Sequence, residues 1–207
     1  MNNNTVVNIV DDDASVRHSL GMLMQSVGLN AKSYASAREF LDEFDASNPG
    51  CLVIDVRMAD MGGLELQAEL MQRGVRTPVI IITGHGDIQM AVRAMKAGAA
   101  DFIEKPFHDQ RLLDSITAAI VRSIDIHQAQ TQQALFFERL SHLTPREQEV
   151  MQLLINGKSC KLIAHELGIS SKTVDVHRGH LLKKMEVKSV VDLTHLAMIG
   201  KYTTATG

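Results

Sequence analysis

Two short apolar stretches of this chain run directly into carboxylates. Residues 51–54 are followed by Asp55, and residues 6–10 are followed by Asp11, Asp12 and Asp13. A continuous apolar run beside a Pro-Gly turn is typical of a buried strand in a parallel sheet. Parallel strands end at one edge, where open α/β sheets bind ligands. Because clustered carboxylates repel one another unless a cation lies among them, and oxygen ligands suit Mg²⁺, we predict a magnesium site there.

Two further polar residues follow predicted strands and extend this chemistry. Thr83 follows the β-branched run of residues 79–82, and Lys105-Pro106 follows residues 101–104. Asp55 has the chemistry of a nucleophile that forms an aspartyl phosphate. Mg²⁺ bound to Asp12 would neutralise phosphoryl oxygens, Lys105 would pair with another, and the Thr83 hydroxyl would donate to a third. A cis Lys-Pro bond would fix how Lys105 enters the site.

Alternating strand-like and helix-like segments position these side chains. Each apolar run is followed by a stretch with helical spacing, and three of these stretches stop at Gly28, Gly74 and Gly98, which are typical helix C-caps. Five such units in about 120 residues predict a doubly wound, five-stranded parallel sheet with helices on both faces.

The residues at this edge resemble those of the receiver domain of two-component response regulators. The shared set comprises Asp11-Asp12, Asp55, Thr83 and Lys105-Pro106. The motifs of residues 84–87 (Gly-His-Gly-Asp), 94–99 and 101–107 are similar to those of the FixJ branch in particular. The resemblance implies a flavodoxin-like α/β receiver fold.

The resemblance also implies roles for individual residues. Asp55 would accept a phosphoryl group from a sensor histidine kinase. Mg²⁺ would be held by Asp12, Asp55 and the backbone carbonyl of Arg57, with Asp11 acting through water. Thr83 and Phe102 would form the switch pair. One position departs from the family pattern: Ala59 stands where proline is usual, whereas Gly63, which closes this loop, is present.

Charge is distributed unevenly along the chain. The net charge is -3, but residues 1–121 carry -6, residues 122–140 carry 0 and residues 141–207 carry +3. A basic C-terminal part on an acidic protein points to an anionic partner such as nucleic acid. No apolar stretch is long enough to span a membrane, and the N-terminus does not have the basic start of a signal peptide. We therefore expect a cytoplasmic protein whose two cysteines, Cys51 and Cys160, are reduced.

Residues 141–207 predict a helix-turn-helix. Thr144, Pro145 and Glu147 form a capping box with proline at the first helical position. A second helix ends at Gly168, and Ser170 can cap a third helix that runs to residue 185. Two helices joined by a tight turn with glycine place the second helix in the major groove of DNA.

This segment resembles the four-helix LuxR/FixJ-type output domain through residues 143–147, 163–164, 167–170 and 173–178. By that resemblance it binds DNA as a dimer, with residues 189–199 at the interface. The predicted DNA contacts are Lys158, Lys161, Lys172, Thr173, Val176, His177, Arg178, Lys183 and Lys184. Val174 and Leu181 are predicted to lie in the core. Asp175 would repel phosphate unless it accepts a hydrogen bond from cytosine.

These observations predict three segments: a receiver at 1–121, a linker at 122–140 and a DNA-binding domain at 141–207. The linker is polar and glutamine-rich without proline or glycine, which fits either an extension of the preceding helix or a flexible tether. The expected partners are a histidine kinase, double-stranded promoter DNA and a second copy of the chain upon phosphorylation. RNA polymerase is a further candidate partner, and no membrane is expected.

The preferred hypothesis is a transcription factor controlled by phosphorylation of Asp55. One alternative is a Mg²⁺-dependent phosphohydrolase, which turnover of a small phosphate ester would support. Against it, Arg57 stands where a second acid would be expected, and the chain offers no obvious substrate domain. Another alternative is a DNA-binding protein with a passive receiver, which the intact set of acids opposes.

Overall fold

The computed structural model describes residues 5–45, 47–84, 88–200 and 202. The chain divides into two compact units, Met1–His127 and Gln128–Gly207. No helix within the described ranges is long and apolar enough to cross a membrane. Cys51 and Cys160 are both free thiols, and burial raises the pKa of Cys51 to about 12.

A five-stranded parallel sheet forms the centre of the first unit. Its strand order is β2-β1-β3-β4-β5, which confirms the predicted doubly wound architecture. β3 and β4 are buried on both faces, as expected for strands whose residues are almost all apolar. The strands are β1 (Val6–Val10), β2 (Asn30–Tyr34), β3 (Gly50–Asp55), β4 (Val79–Thr83) and β5 (Asp101–Glu104).

Helices cover both faces of the sheet, and each face has its own apolar core. One core includes Ile9, Met24 and Ile116, and the other includes Phe40 and Leu66. The helices are α1 (Ala14–Ser26), α2 (Ala37–Glu43), α3 (Gly63–Gln72), α4 (Ile88–Lys96) and α5 (Asp109–Ser141). The motif at residues 84–87 is described only at Gly84, because residues 85–87 lie outside the described ranges.

Helix α1 has a side-chain cap at its start and a glycine in the left-handed conformation after its end. The side chain of Asp13 accepts a hydrogen bond from the Ser15 backbone N–H and caps α1. α1 ends at Ser26, two residues before the predicted stop at Gly28, which has φ of +73°. This left-handed conformation explains the glycine at the stop.

α5 runs without interruption through residues 122–140. This segment contains neither proline nor glycine, so no residue in it breaks the helix. Phe136, near its C-terminal end, is fully buried in the core of the second unit. Its ring lies where a side chain on Gly200 would be, since a Cβ there would come within 2.5 Å. The boundaries at residues 121 and 141 stay predictions.

Four short helices complete the second unit: α6 (Pro145–Ile155), α7 (Cys160–Leu167), α8 (Ser171–Lys184) and α9 (Val190–Ile199). The predicted capping box is present, because Thr144 and Glu147 exchange hydrogen bonds. Ser170 caps α8 as predicted. Val174 and Leu181 are fully buried, which confirms their assignment to the core.

Candidate functional site

Three strand ends bring two carboxylates and one ammonium together at the carboxyl edge of the sheet. Asp11 follows β1, Asp55 is the last residue of β3, and Lys105 follows β5. Lys105 Nζ lies 3.1 Å from Asp11 Oδ2 and 2.8 Å from Asp55 Oδ1. Asp11 and Asp55 are buried. The ammonium therefore bridges the two acids.

Backbone N–H groups orient the other carboxylate oxygens. Asp11 Oδ1 accepts a 2.9 Å hydrogen bond from the Asp13 N–H, and Asp55 Oδ2 accepts a 2.7 Å bond from the Arg57 N–H. Arg17 Nη1 donates to the backbone carbonyl of Asp11 at 2.7 Å. Sequence reasoning missed Arg17, because a helical arginine has no pattern that reveals a bond to a loop carbonyl.

Burial and charge act in opposite directions at this edge. Burial raises the pKa of Asp11 despite its hydrogen bonds from Asp13 and Lys105. Burial alone would lower the pKa of Lys105, but its bonds to Asp55 and Asp11 outweigh that effect, and its pKa is raised. One ammonium thus faces two carboxylates, and the edge retains excess negative charge.

The remaining predicted residues lie on the same edge in different environments. Thr83 ends β4 and is buried, one position beyond Ile82, which pairs with Asp55 in the sheet. Asp12 is exposed in the loop before α1. Phe102 is half-buried on β5 and packs against the apolar core on one face of the sheet. The Lys105-Pro106 peptide bond is cis.

The loop that follows Asp55 closes tightly on it. The Gly63 N–H donates to the Val56 carbonyl at 3.0 Å, and the Gly62 N–H donates to Glu65 Oε2 at 3.1 Å. A Cβ on Gly63 would lie 2.3 Å from the Asp55 carbonyl oxygen. Only glycine allows this approach.

The donor chemistry of the edge fits Mg²⁺. No group of three or more His, Cys, Asp or Glu side chains in the described part of the chain could by itself hold an ion. Magnesium does not need such a cage, since it keeps several waters and takes only one or two carboxylates plus phosphate oxygens. Asp11 and Asp55 supply carboxylates within reach of one ammonium, and Asp12 adds an exposed one beside them.

A helix-turn-helix is present in the second unit. α7 ends at Leu167 and is capped by Gly168, which has φ of +64°, and α8 begins three residues after this glycine. Among the predicted DNA contacts, five are exposed and four are half-buried. The exposed residues are Lys161, Lys172, Thr173, Val176 and Lys183, and the half-buried ones are Lys158, His177, Arg178 and Lys184.

Three of the half-buried cations already have partners. Lys184 Nζ lies 2.7 Å from Glu147 Oε2, and Lys158 forms an ion pair with Glu166. Arg178 Nη2 lies 3.2 Å from Asp175 Oδ1 and Nη1 donates to Cys160 Sγ at 3.4 Å. The pair with Arg178 offsets the negative charge that Asp175 brings to α8.

Glu147 is a buried carboxylate whose charge is fully compensated. Burial alone would raise its pKa, but hydrogen bonds from Lys184 and from Thr144 outweigh burial and lower it. Glu147 therefore joins α6 to α8 as well as capping α6. The sequence predicted the cap but not the bond to Lys184, which is 37 residues away.

Comparisons with known proteins support both the acid and lysine site of the first unit and the helix-turn-helix of the second. Residues 7–117 match the family described as the response regulator receiver domain. Residues 141–197 match the family described as bacterial regulatory proteins, luxR family. The chain is a FixJ-like two-component response regulator. The predicted family is therefore confirmed, together with a regulatory role and a LuxR-type DNA-binding domain.

Relatives of this response regulator match it over nearly its whole length. Nodulation protein W of Bradyrhizobium diazoefficiens is 45% identical over 93% of this chain and 85% of that protein. Transcriptional regulatory protein FixJ of Azorhizobium caulinodans is 42% identical over 94% of this chain and 92% of that protein. The solved structure of response regulator StyR has a TM-score of 0.86 at 44% identity, covering 96% of this chain and all of that one.

Proposed function

We propose that Asp55 accepts a phosphoryl group from a sensor histidine kinase, and that phosphorylation drives dimerisation and promoter binding. The observation that carries this proposal is the bridge of Lys105 between Asp11 and Asp55. A lysine held by two acids at a ligand-binding edge is ready to pair with an incoming anion. Membership of the response regulator family supports the same chemistry.

In the proposed transfer, an Asp55 carboxylate oxygen attacks the phosphorus of a kinase phosphohistidine. A P–O bond forms and the P–N bond breaks, and the released imidazole nitrogen takes up a proton. Lys105 then leaves its bond with Asp55 and pairs with a phosphoryl oxygen. The Thr83 hydroxyl turns to another phosphoryl oxygen, and Phe102 moves inward behind it.

Mg²⁺ would be held by Asp12, Asp55 and the backbone carbonyl of Arg57, with Asp11 acting through water. When bound, the ion neutralises charge on the phosphoryl oxygens during transfer. The chain's own residues supply the nucleophile and the positioning. We infer that the protein catalyses only its own phosphorylation and slow dephosphorylation, and is otherwise no enzyme.

The output step follows in the DNA-binding domain. Two phosphorylated copies bring two α8 helices to half-sites related by two-fold symmetry. Lys172, Thr173, Val176 and His177 would face base edges, and Lys161 and Lys183 would contact phosphates. RNA polymerase is a further proposed partner, and we place the protein in the cytoplasm.

Intact-protein mass spectrometry with acetyl phosphate tests the phosphorylation site. We expect one phosphate on the wild-type chain in the presence of Mg²⁺, almost none without Mg²⁺, and none on Asp55→Asn. A phosphate that persists on Asp55→Asn would contradict the assignment. The neighbouring exposed acid variant Asp60→Asn is the matched control and should incorporate phosphate normally.

DNA selected from a random pool by the phosphorylated protein then tests the output. Phosphorylation should raise affinity for the selected DNA in the wild type and leave Asp55→Asn unchanged. Equal affinity in both states would support the passive-receiver alternative.

A further inference from the structure

Arg17 in α1 contacts the loop between β1 and α1 at two points. Its guanidinium Nη1 donates a 2.7 Å hydrogen bond to the backbone carbonyl of Asp11. Its own backbone N–H donates to the Asp13 carbonyl at 3.1 Å, in the first turn of the helix. A single residue of α1 therefore holds the backbone on both sides of Asp12.

Asp12 depends on this backbone for its direction. The residue is exposed, and its side chain forms no hydrogen bond or ion pair with the described part of the chain. Other bonds restrain the same loop: the Asp11 N–H donates to the Tyr34 carbonyl at 3.3 Å, and Asp11 Oδ1 accepts from the Asp13 N–H at 2.9 Å. The backbone that carries Asp12 is thus fixed, while its carboxylate points into solvent.

The guanidinium of Arg17 donates to a carbonyl although residues 11–13 of the adjoining loop are all aspartates. Within the described ranges it forms no ion pair with a carboxylate. An arginine paired with Asp12 would compete with a cation for the same oxygens. A charge-assisted bond to a neutral carbonyl instead anchors the loop and does not occupy the Asp12 oxygens. This choice of acceptor favours positioning of the loop over neutralisation of its acids.

We propose that Arg17 is a positioning residue for the magnesium site, and that it acts by holding the backbone that presents Asp12. This inference rests on the proposed function, in which Asp12 is a ligand of Mg²⁺. Groups that orient a metal ligand without touching the metal contribute roughly 10- to 100-fold to metal affinity. Loss of a positive charge beside the site would favour Mg²⁺ binding, whereas loss of the restraint on the loop would disfavour it. The direction of the change therefore separates positioning from a simple effect of charge.

Titration of the full-length protein with MgCl₂ at constant ionic strength tests the proposal without any phosphoryl donor. The NMR signals of the Asp13 and Arg57 amides follow binding, and the same spectra report whether each variant keeps its fold. We expect Arg17→Met to raise the dissociation constant for Mg²⁺ about tenfold. Arg38→Met is the matched control, because it removes an exposed cation of α2 that forms no hydrogen bond with the described residues 11–13. It should not weaken Mg²⁺ binding.

A double-mutant cycle with Asp12→Asn tests the route of the effect. Because Arg17 is proposed to act through Asp12, Arg17→Met should cause less than about a twofold further loss of Mg²⁺ affinity in the Asp12→Asn background. The full tenfold loss in that background would overturn the proposed route through Asp12.

Unchanged or tighter Mg²⁺ binding by Arg17→Met would also overturn the inference, since the arginine would then contribute only to the structure of α1 or only its charge. The wild-type titration separates this failure from a failure of the proposed function. If the wild-type protein bound no Mg²⁺, the proposed magnesium site would be wrong and this inference would fall with it. If the wild type bound Mg²⁺ and Arg17→Met bound it equally well, only the role of Arg17 would be wrong.

Discussion

Each compact unit contains buried carboxylates that meet a lysine, but the two clusters are balanced differently. In the receiver, Asp11 and Asp55 share Lys105, and burial raises the pKa of Asp11. In the DNA-binding unit, burial alone would raise the pKa of Glu147, but Lys184 and Thr144 outweigh it and lower the pKa. One lysine serves two acids in the first cluster and a single acid in the second.

The difference separates a site built for a ligand from a site built for stability. An excess of negative charge at the receiver edge costs folding free energy, and a bound cation can offset this cost. Glu147 has all its partners within the chain, since it caps α6 and holds α8 through Lys184. A buried carboxylate whose charge is compensated by the protein's own residues therefore indicates a structural pair. A buried cluster that keeps excess negative charge indicates a functional site.

Removal of Lys184 should have the largest effect on stability. Lys184→Met leaves the Glu147 carboxylate buried and unpaired, and Glu147 is only 3% exposed. Loss of one partner of a buried pair costs roughly 3 to 5 kcal/mol, which the partial exposure of Lys184 reduces to about 2 to 3 kcal/mol. Amide hydrogen exchange across α6 and α8 in the full-length protein measures this loss.

The adjacent Lys183→Met is the matched control. Lys183 is exposed on the same helix, so its replacement should change stability by no more than about 0.5 kcal/mol. If both variants lowered protection equally, Glu147 and Lys184 would not form a structural pair and the comparison would fail.

A methyl group behind Asp55 should disable the receiver cluster. In Gly63→Ala the new Cβ would lie 2.3 Å from the Asp55 carbonyl oxygen, so the backbone of Asp55 must shift. A misplacement of about 1 Å in a reacting group can reduce rate about 100-fold, and we expect that loss in phosphorylation by acetyl phosphate. Gly84→Ala is the control: among the described residues, no atom beyond its chain neighbours lies within 4 Å of its Cβ position, so its rate should stay normal. A normal rate in Gly63→Ala would show that Asp55 tolerates movement.

How far the sequence predicts these clusters depends on the distance between partners along the chain. The acids at the carboxyl ends of β1 and β3 were predictable because parallel strands end together and the apolar runs are clear. The capping box of Thr144 and Glu147 was predictable because its residues are three apart. Lys184 was predicted as a DNA contact, and no local pattern indicated its bond to Glu147.

Helix α5 also depends on contacts between residues that are distant along the chain, which the sequence does not reveal. The polar segment 122–140 gave no preference between a tether and a helix, because its composition allows both. Burial of Phe136 against Gly200 and the bond from Arg139 Nη1 to the Met185 carbonyl involve residues distant in the chain. Gln67 is similar: a glutamine on an amphipathic helix is usually exposed, and only packing against α4 buries it.

The same carboxylate-to-amide change should have opposite effects in the two clusters. Asp11→Asn removes a buried charge whose pKa is raised by burial, so the receiver should gain stability at neutral pH. Glu147→Gln removes a charge whose pKa is lowered by its partners, so the DNA-binding unit should lose about 1 to 2 kcal/mol. Hydrogen exchange resolved by unit measures both changes.

The dependence on pH follows from the direction of each shift. Because the folded pKa of Glu147 is lowered, its contribution is present above 4.5 and is lost as pH falls below that value. Because the folded pKa of Asp11 is raised, its ionisation costs stability as pH rises above 3.8. Stability changes of the same sign in Asp11→Asn and Glu147→Gln would mean that the two clusters are electrostatically alike.

The smallest expected effect separates structural from DNA-contacting lysines on α8. Each lost phosphate contact should lower the salt dependence of DNA affinity by about 0.9 in log–log slope. Lys183→Met should show this decrease, since its exposed side chain is a proposed phosphate contact. Lys184→Met should weaken binding while leaving the slope unchanged, because its ammonium neutralises Glu147 and not a phosphate. A reduced slope in Lys184→Met would make Lys184 a phosphate contact, and its ammonium would then be shared between Glu147 and DNA instead of being reserved for the structural pair.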